Sequence, residues 1–216
     1  MRPEPLAAKI CGLSTPDAVR AALEGGAGFV GFMFFDKSPR NIRPEFAARL
    51  AEPARGKAAI VAVTVDPDDE ALELIIGSLK PDLIQLHGRE SPQRAAAIAN
   101  RTGAGLIKVL PVSESADLEA AGAYDGLVKH LMFDTKPPKD ADRPGGLGAS
   151  FDWTLLAGRR FQRPHFLAGG LDPWNVRDAA KLSGAPLVDV SSGVERGPGL
   201  KDAGLISAFL DAVRRV

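Results

Sequence analysis

Cysteine occurs once in the 216 residues, as Cys11, which excludes an internal disulfide and a cysteine-based structural zinc site and leaves that side chain for packing or chemistry. Net charge is missing as well. Lys+Arg and Asp+Glu both number 27, so the chain lacks the long-range pull of a nucleic-acid or anionic-membrane binder, and an anionic ligand has to be caught locally. No apolar run approaches the ~20 residues that span a bilayer, and the segment after Met1-Arg2-Pro3-Glu4-Pro5 offers no stretch long enough for a signal peptide; a cytoplasmic protein with no membrane partner is expected. The histidines form no H-E-x-x-H and no cluster, and no carboxylate set has metal-ligand spacing, so no metal is expected. No G-x-G-x-x-G follows the first apolar run, which argues against a dinucleotide cofactor.

What is present is repetition. Apolar runs rich in β-branched and aromatic residues recur at 8–13, 29–35, 59–65, 83–86, 106–110, 130–133, 165–168 and 187–190. Most are apolar throughout rather than alternating, as befits strands covered on both faces in a parallel sheet. Helical patterns fill the gaps. Leu72, Ile75, Ile76 and Leu79 make one apolar stripe over 68–79, and Leu205, Ile206, Phe209, Leu210 and Val213 make another. Thr15-Pro16, Asp66-Pro67, Ser91-Pro92 and Asp172-Pro173 read as capped helix starts. Eight β-then-α units in this length, with 45% hydrophobic and 25% charged residues, predict a single-domain α/β fold over 1–216: an eight-stranded parallel (β/α)8 TIM barrel, with an open doubly wound sheet as the alternative. The longest irregular stretch, 136–150, is long enough to serve as a lid.

In such barrels chemistry sits at the C-terminal ends of the strands. After the seventh and eighth runs come Gly169-Gly170 and Ser191-Ser192-Gly193. Glycine lets the backbone approach an anion, and hydroxyls and amides can cradle phosphate without Lys or Arg; the alternative is a pair of plain tight turns. Strand period puts Lys9 and Cys11 on one face, and an ammonium beside a thiol draws its pKa from about 8.5 toward neutrality; the alternative is an inert core cysteine. Asp134 ends the sixth run, as a loop anchor or as an acid/base. Arg40, stiffened by Pro39, offers its fork to a carboxylate or is a solvated loop residue. His87, sharing a face with Gln85, is a base or a pocket wall. His130 and His165 begin their strands, at the end of the barrel that serves stability.

Taken together, Lys9-Ile10-Cys11-Gly12-Leu13, Gly31-Phe32 with Ser38-Pro39-Arg40, Gln85-Leu86-His87-Gly88, Phe133-Asp134-Thr135, Gly145-Gly146-Leu147-Gly148 before Phe151-Asp152-Trp153, Leu167-Ala168-Gly169-Gly170-Leu171 and Asp189-Val190-Ser191-Ser192-Gly193-Val194-Glu195 resemble the phosphoribosylanthranilate isomerase family of tryptophan biosynthesis. The resemblance implies an Amadori rearrangement of a small phosphorylated substrate, without cofactor, by a monomer or homodimer. It assigns Asp134 as general acid, Cys11 as general base, Arg40 to the anthranilate carboxylate, Asp189 to a sugar hydroxyl, and Gly169, Gly170, Ser191, Ser192 and Gly193 to the phosphate, with His87 as pocket wall. Leu147 departs from the family's pattern, which carries a hydroxyl residue there. The rival readings are the histidine-pathway aminoimidazole ribotide isomerase, which uses Asp where Cys11 stands, indole-glycerol-phosphate synthase, which relies on catalytic lysines, and a non-catalytic barrel that binds a phosphometabolite.

Overall fold

The computed structural model describes residues 6–137, 145, 148 and 150–216. Eight parallel strands close into a barrel in sequence order: β1 (Ala7–Cys11), β2 (Phe29–Phe34), β3 (Ala59–Thr64), β4 (Leu83–Leu86), β5 (Gly105–Val112), β6 (His130–Thr135), β7 (His165–Leu167) and β8 (Leu187–Val190). Closure is made by β1 on β8, with Lys9 opposite Asp189. Among the described residues six α-helices pack on the outside of the strands, five between them and the last after them: α1 (Pro16–Glu24), α2 (Pro44–Ala51), α3 (Asp69–Leu79), α4 (Pro92–Thr102), α5 (Val176–Ser183) and α6 (Ala203–Val213). No described helix is long and apolar enough to cross a membrane.

Strand pleating sorts the apolar residues into two layers. Val61, Val63, Ile107, Val109, Met132 and Phe166 form one buried cluster inside the barrel. Their neighbours Ile60, Ala62, Leu106, Leu110, Leu131, Phe133 and Leu167 belong to the layer shared with the helices. Each fully buried side chain of this kind is worth roughly 1.5–3 kcal/mol. Continuous apolar runs are therefore what the sequence must carry.

The alternation is less strict than the sequence pattern predicts. Between β5 and β6 the chain forms a 3-10 stretch, Ser115–Tyr124, and between β6 and β7 a shorter one, Trp153–Leu156. In the first, Leu118, Ala121 and Tyr124 are the buried residues; a spacing of three fits the 3-10 period rather than 3.6. Thr15 and Ser91 cap α1 and α4 as expected, accepting from Ala18 N and Arg94 N. The other two expected starts are displaced. Asp68, not Asp66, caps α3, while the Asp66 carboxylate accepts from Arg89 N at 2.7 Å and so ties the β3 turn to the β4 turn. Asp172 accepts from Trp174 N and Asn175 N in a turn that precedes α5.

A short antiparallel hairpin, β9 (Glu195–Gly197) and β10 (Leu200–Lys201), follows β8.

Candidate active site

The strand ends bring Cys11, Arg40, His87, Asp134, Gly169, Gly170, Asp189, Ser191 and Ser192 to one pocket. Gly193 stands directly behind it, where a Cβ would overlap the carbonyl of Leu171. Of the expected lid, Gly145 and Gly148 line the pocket; Gly146 and Leu147 lie outside the described residues.

Inside β1 the inward column is Ala7, Lys9, Cys11. Lys9 is fully buried and donates to Asp189 Oδ1 at 2.8 Å. Its room comes from β2, because a side chain on Gly31 would come within 3.1 Å of the ammonium. Burial opposes the Lys9 charge, but Asp189 and then Cys11 outweigh it and hold the pKa above its ordinary value. The thiol behaves differently from the sequence expectation. Burial is the largest influence on Cys11 and pushes its pKa up; Lys9 pulls it down, Asp189 pushes it up again, Lys201 adds a weaker pull, and the net direction is upward. Lys9 is shared with a carboxylate, so its charge is not Cys11's alone.

Across the mouth, Asp134 is 8% exposed, and its Oδ1 accepts from Thr135 N at 2.7 Å. The other oxygen, Oδ2, lies 3.3 Å from His87 Nε2. Gln85 Nε2 lies 3.0 Å from His87 Nδ1; with that amide donating, the ring proton is assigned to Nε2, the nitrogen facing Asp134. The His87 turn is itself anchored by an ion pair that the sequence reading did not find. Lys108, on the outer face of β5, donates to Glu90 Oε2 at 2.7 Å and to Gly88 O at 2.8 Å, and Glu90 accepts from the N–H groups of Asp66 and Gly88. A lysine in the middle of the apolar run Leu106-Ile107-Lys108-Val109-Leu110 was the visible signal.

Arg40 is 4% exposed, so it is not a solvated loop arginine. Its fork already holds a carboxylate: Nε and Nη2 donate to Glu195 Oε1 and Oε2 at 2.7 and 2.8 Å. On the remaining side, Gly169 and Gly170 take φ of 85° and 65°, a left-handed turn that side chains resist. Their N–H groups find no acceptor among the described residues, and Ser191 and Ser192, in the turn after the neighbouring strand β8, line the same pocket. Unused amides beside hydroxyls suit an anion. The arrangement thus offers an anion cradle, a thiol and a carboxyl group in one pocket.

Residues 8–212 match the family model described as N-(5'phosphoribosyl)anthranilate (PRA) isomerase. An N-(5'-phosphoribosyl)anthranilate isomerase of Caulobacter vibrioides is 65% identical over 96% of this chain and 95% of its own length. Its counterpart from a second Caulobacter species is 67% identical over 97% and 99%. Among solved structures, the phosphoribosyl anthranilate isomerase of Thermotoga maritima superposes with a TM-score of 0.86 at 35% identity, covering 98% of this chain and 100% of that one. A phosphoribosyl anthranilate isomerase in complex with reduced 1-(o-carboxyphenylamino)-1-deoxyribulose 5-phosphate superposes with a TM-score of 0.83 at 33% identity, with the same coverage.

Proposed function

The chain belongs to the N-(5'-phosphoribosyl)anthranilate isomerase family and is an isomerase of tryptophan biosynthesis; from that premise we propose how its residues divide the reaction. The substrate's phosphate sits on Gly169, Gly170, Ser191, Ser192 and Gly193, and Arg40 takes the anthranilate carboxylate. Asp134 gives a proton to the ribose ring oxygen as the C1–O bond breaks, and the anilinic nitrogen lone pair closes the C1–N iminium. Cys11, as thiolate, removes the C2 proton. That C–H bond's electrons form the C1–C2 double bond while the C=N π electrons return to nitrogen, giving an enolamine; this takes up a proton at C1 and releases the C2 hydroxyl proton to solvent, leaving a ketone at C2. C1 is reduced and C2 oxidised, so no external electron carrier takes part.

Burial raises the thiol pKa, while Lys9 beside it favours the thiolate. A cationic iminium one bond from C2 acidifies the C2 proton that this thiolate removes and adds to the stabilisation of its charge. Asp189 holds Lys9 on one side and reaches the pocket on the other, which suits contact with a sugar hydroxyl. His87 backs Asp134 as wall. The observation that carries the assignment is that Cys11, at the end of β1, and Asp134, on β6, line one pocket together with the glycine and serine turns that follow β7 and β8. All these groups come from one chain, so the proposal takes a single catalytic domain over 1–216, as monomer or homodimer, with no role for nucleic acid. It places the enzyme in the cytoplasm, where a reducing environment keeps the working thiol reduced.

The test follows the loss of fluorescence of freshly generated phosphoribosylanthranilate. Cys11→Ala and Asp134→Asn are each expected to lower kcat by at least about 10³, in line with loss of a positioned acid or base, while inorganic phosphate still binds. Turnover near wild type in either variant overturns the assignment.

A further inference from the structure

The reaction as written leaves one buried charge cluster unused, behind Arg40. Glu195 opens β9 and Lys201 ends β10, and neither lines the pocket. Their side chains are 3% and 0% exposed. Glu195 Oε1 accepts from Arg40 Nε at 2.7 Å and from Lys201 Nζ at 2.6 Å; Oε2 accepts from Arg40 Nη2 at 2.8 Å and from Gly199 N at 3.2 Å. All four acceptor positions of the carboxylate are filled. The other two Lys201 protons go to Ser191 O at 2.8 Å and Ser191 Oγ at 3.3 Å. Arg40 itself lies over the end of β1, in space that Gly12 leaves open: a Cβ there would stand 2.6 Å from Arg40 Cδ.

Two features of this cluster bear on the substrate. Glu195 occupies the Nε/Nη2 side of the guanidinium, which leaves the Nη1/Nη2 edge, with its two parallel N–H bonds, for the pocket that Arg40 lines. That edge matches the two oxygens of a carboxylate. The charges also count in a particular way. Arg40 and Glu195 alone would cancel, and the guanidinium would meet an anion as half of a neutral pair. Lys201 shares the same carboxylate, so Arg40, Glu195 and Lys201 together keep one positive charge. Burial works against the Glu195 charge, but Arg40 and Lys201 hold its pKa below the ordinary value.

We propose that Glu195, clamped by Lys201 and the β9–β10 hairpin, is a positioning and specificity-determining residue: it fixes Arg40 side-on so that the free edge of the guanidinium grips an aryl carboxylate placed ortho to the substrate's amine. The inference rests on the assignment of Arg40 to that carboxylate. Ser191 extends the same cluster to the other end of the site, since its Oγ donates to Cys11 O at 3.3 Å and its turn belongs to the phosphate cradle.

The test is a cycle between protein groups and a ligand group. Binding of the reduced carboxyphenylamino-deoxyribulose 5-phosphate, and of the same compound lacking the carboxylate, is measured by calorimetry on the wild type and on Glu195→Gln, Lys201→Met and Arg40→Ala. Glu195→Gln is expected to weaken the acid ligand on the order of tenfold or more, as for a displaced bidentate contact, and the des-carboxy ligand less than twofold. Lys201→Met, which leaves Glu195 free to neutralise Arg40, is expected to show the same selectivity. Because both ligands are titrated into the same sample, a fraction of misfolded protein cancels from the comparison. Charge alone gives the opposite sign, since removing a buried anion next to Arg40 should tighten the acid ligand. Tighter binding, or equal losses for both ligands, overturns the positioning role. If Arg40→Ala leaves the acid ligand's advantage intact, the assignment of Arg40 itself fails; if Arg40→Ala abolishes the advantage and Glu195→Gln preserves it, only the role of Glu195 fails.

Discussion

At the N-terminal end of the barrel interior the inward side chains are Phe29, His130 and Phe166, packed edge to face with centroids 5.1 to 5.8 Å apart. At the other end they are Lys9, Cys11, Asp134 and Asp189, buried ionisable groups within a few residues of one another along their strands. The first group is held by shape, and dispersion and burial reward any set of rings that fills the space. The second is held by pairing. Each of its charges would cost several kcal/mol if left alone in the interior, and each is tolerated because a partner of opposite sign or a hydrogen bond meets it. Stability is therefore concentrated in the floor and chemistry in the mouth, over a very short stretch of chain: β7 carries Phe166 in the floor and, two residues later and just past the strand, Ala168 stands at the pocket wall.

The sharpest way to break this division is a floor substitution read against the mouth variants already described. Phe166→Ala is expected to cost about 3–5 kcal/mol of unfolding free energy by urea titration, with kcat of the folded fraction within a few-fold of wild type. Equal damage to turnover and stability would show that the two ends are not separable. A smaller effect concerns the thiol. Its ionisation, followed by thiolate absorbance on the chain's single cysteine, is expected above the ordinary value of about 8.5, because burial raises it. Asp189→Asn removes an anion that adds to that rise and is expected to lower the thiol pKa; a rise in its place would show that Asp189 acts through Lys9 and not directly on Cys11.

Much of this was legible in the chain. All eight strands fall within two residues of the apolar runs, since a strand buried on both faces is apolar except where a buried partner meets a polar side chain. Cys11 and Asp134 could be placed at the pocket from the sequence because a side chain's position at a strand end is a local property, whereas Asp189 came only from the resemblance. What escaped depends on closure of the ring. Arg40 and Glu195 are separated by 155 positions, and Lys9 and Asp189 by 180. For that reason the sequence shows Lys9 beside Cys11 and suggests a lowered thiol pKa, while the carboxylate that claims Lys9 arrives from the far end of the chain. Asp66 was misread as a helix cap for a similar reason, its carboxylate being engaged with Arg89 across a neighbouring turn. Ser115–Tyr124 was misread locally, because its spacing of three was taken into the general helical alternation.

The layer outside the barrel strands also carries a titration that the mouth should not feel. His165 begins β7 and is buried between the rings of Phe133 and Phe161, at centroid distances of 5.5 and 4.9 Å. Burial lowers its pKa from 6.5 to about 4. The unfolded chain takes up a proton near 6.5 and the folded chain only near 4, so the unfolded state binds more protons between those values and stability falls as pH falls through that window. The loss is complete near pH 4 and amounts to about 3 kcal/mol. Asp117, whose pKa is lowered to about 2 chiefly by the Ser113 N–H, stabilises the fold above 3.8 and loses that contribution only below it, so the two windows separate. His165→Phe keeps a ring between Phe133 and Phe161 and removes the titrating group. Urea midpoints of this variant are expected to change less between pH 6.5 and 4 than those of the wild type, by an amount near that loss, and to converge with wild-type behaviour below pH 4. Parallel slopes in the two proteins across the window would mean that His165 is not the group responsible.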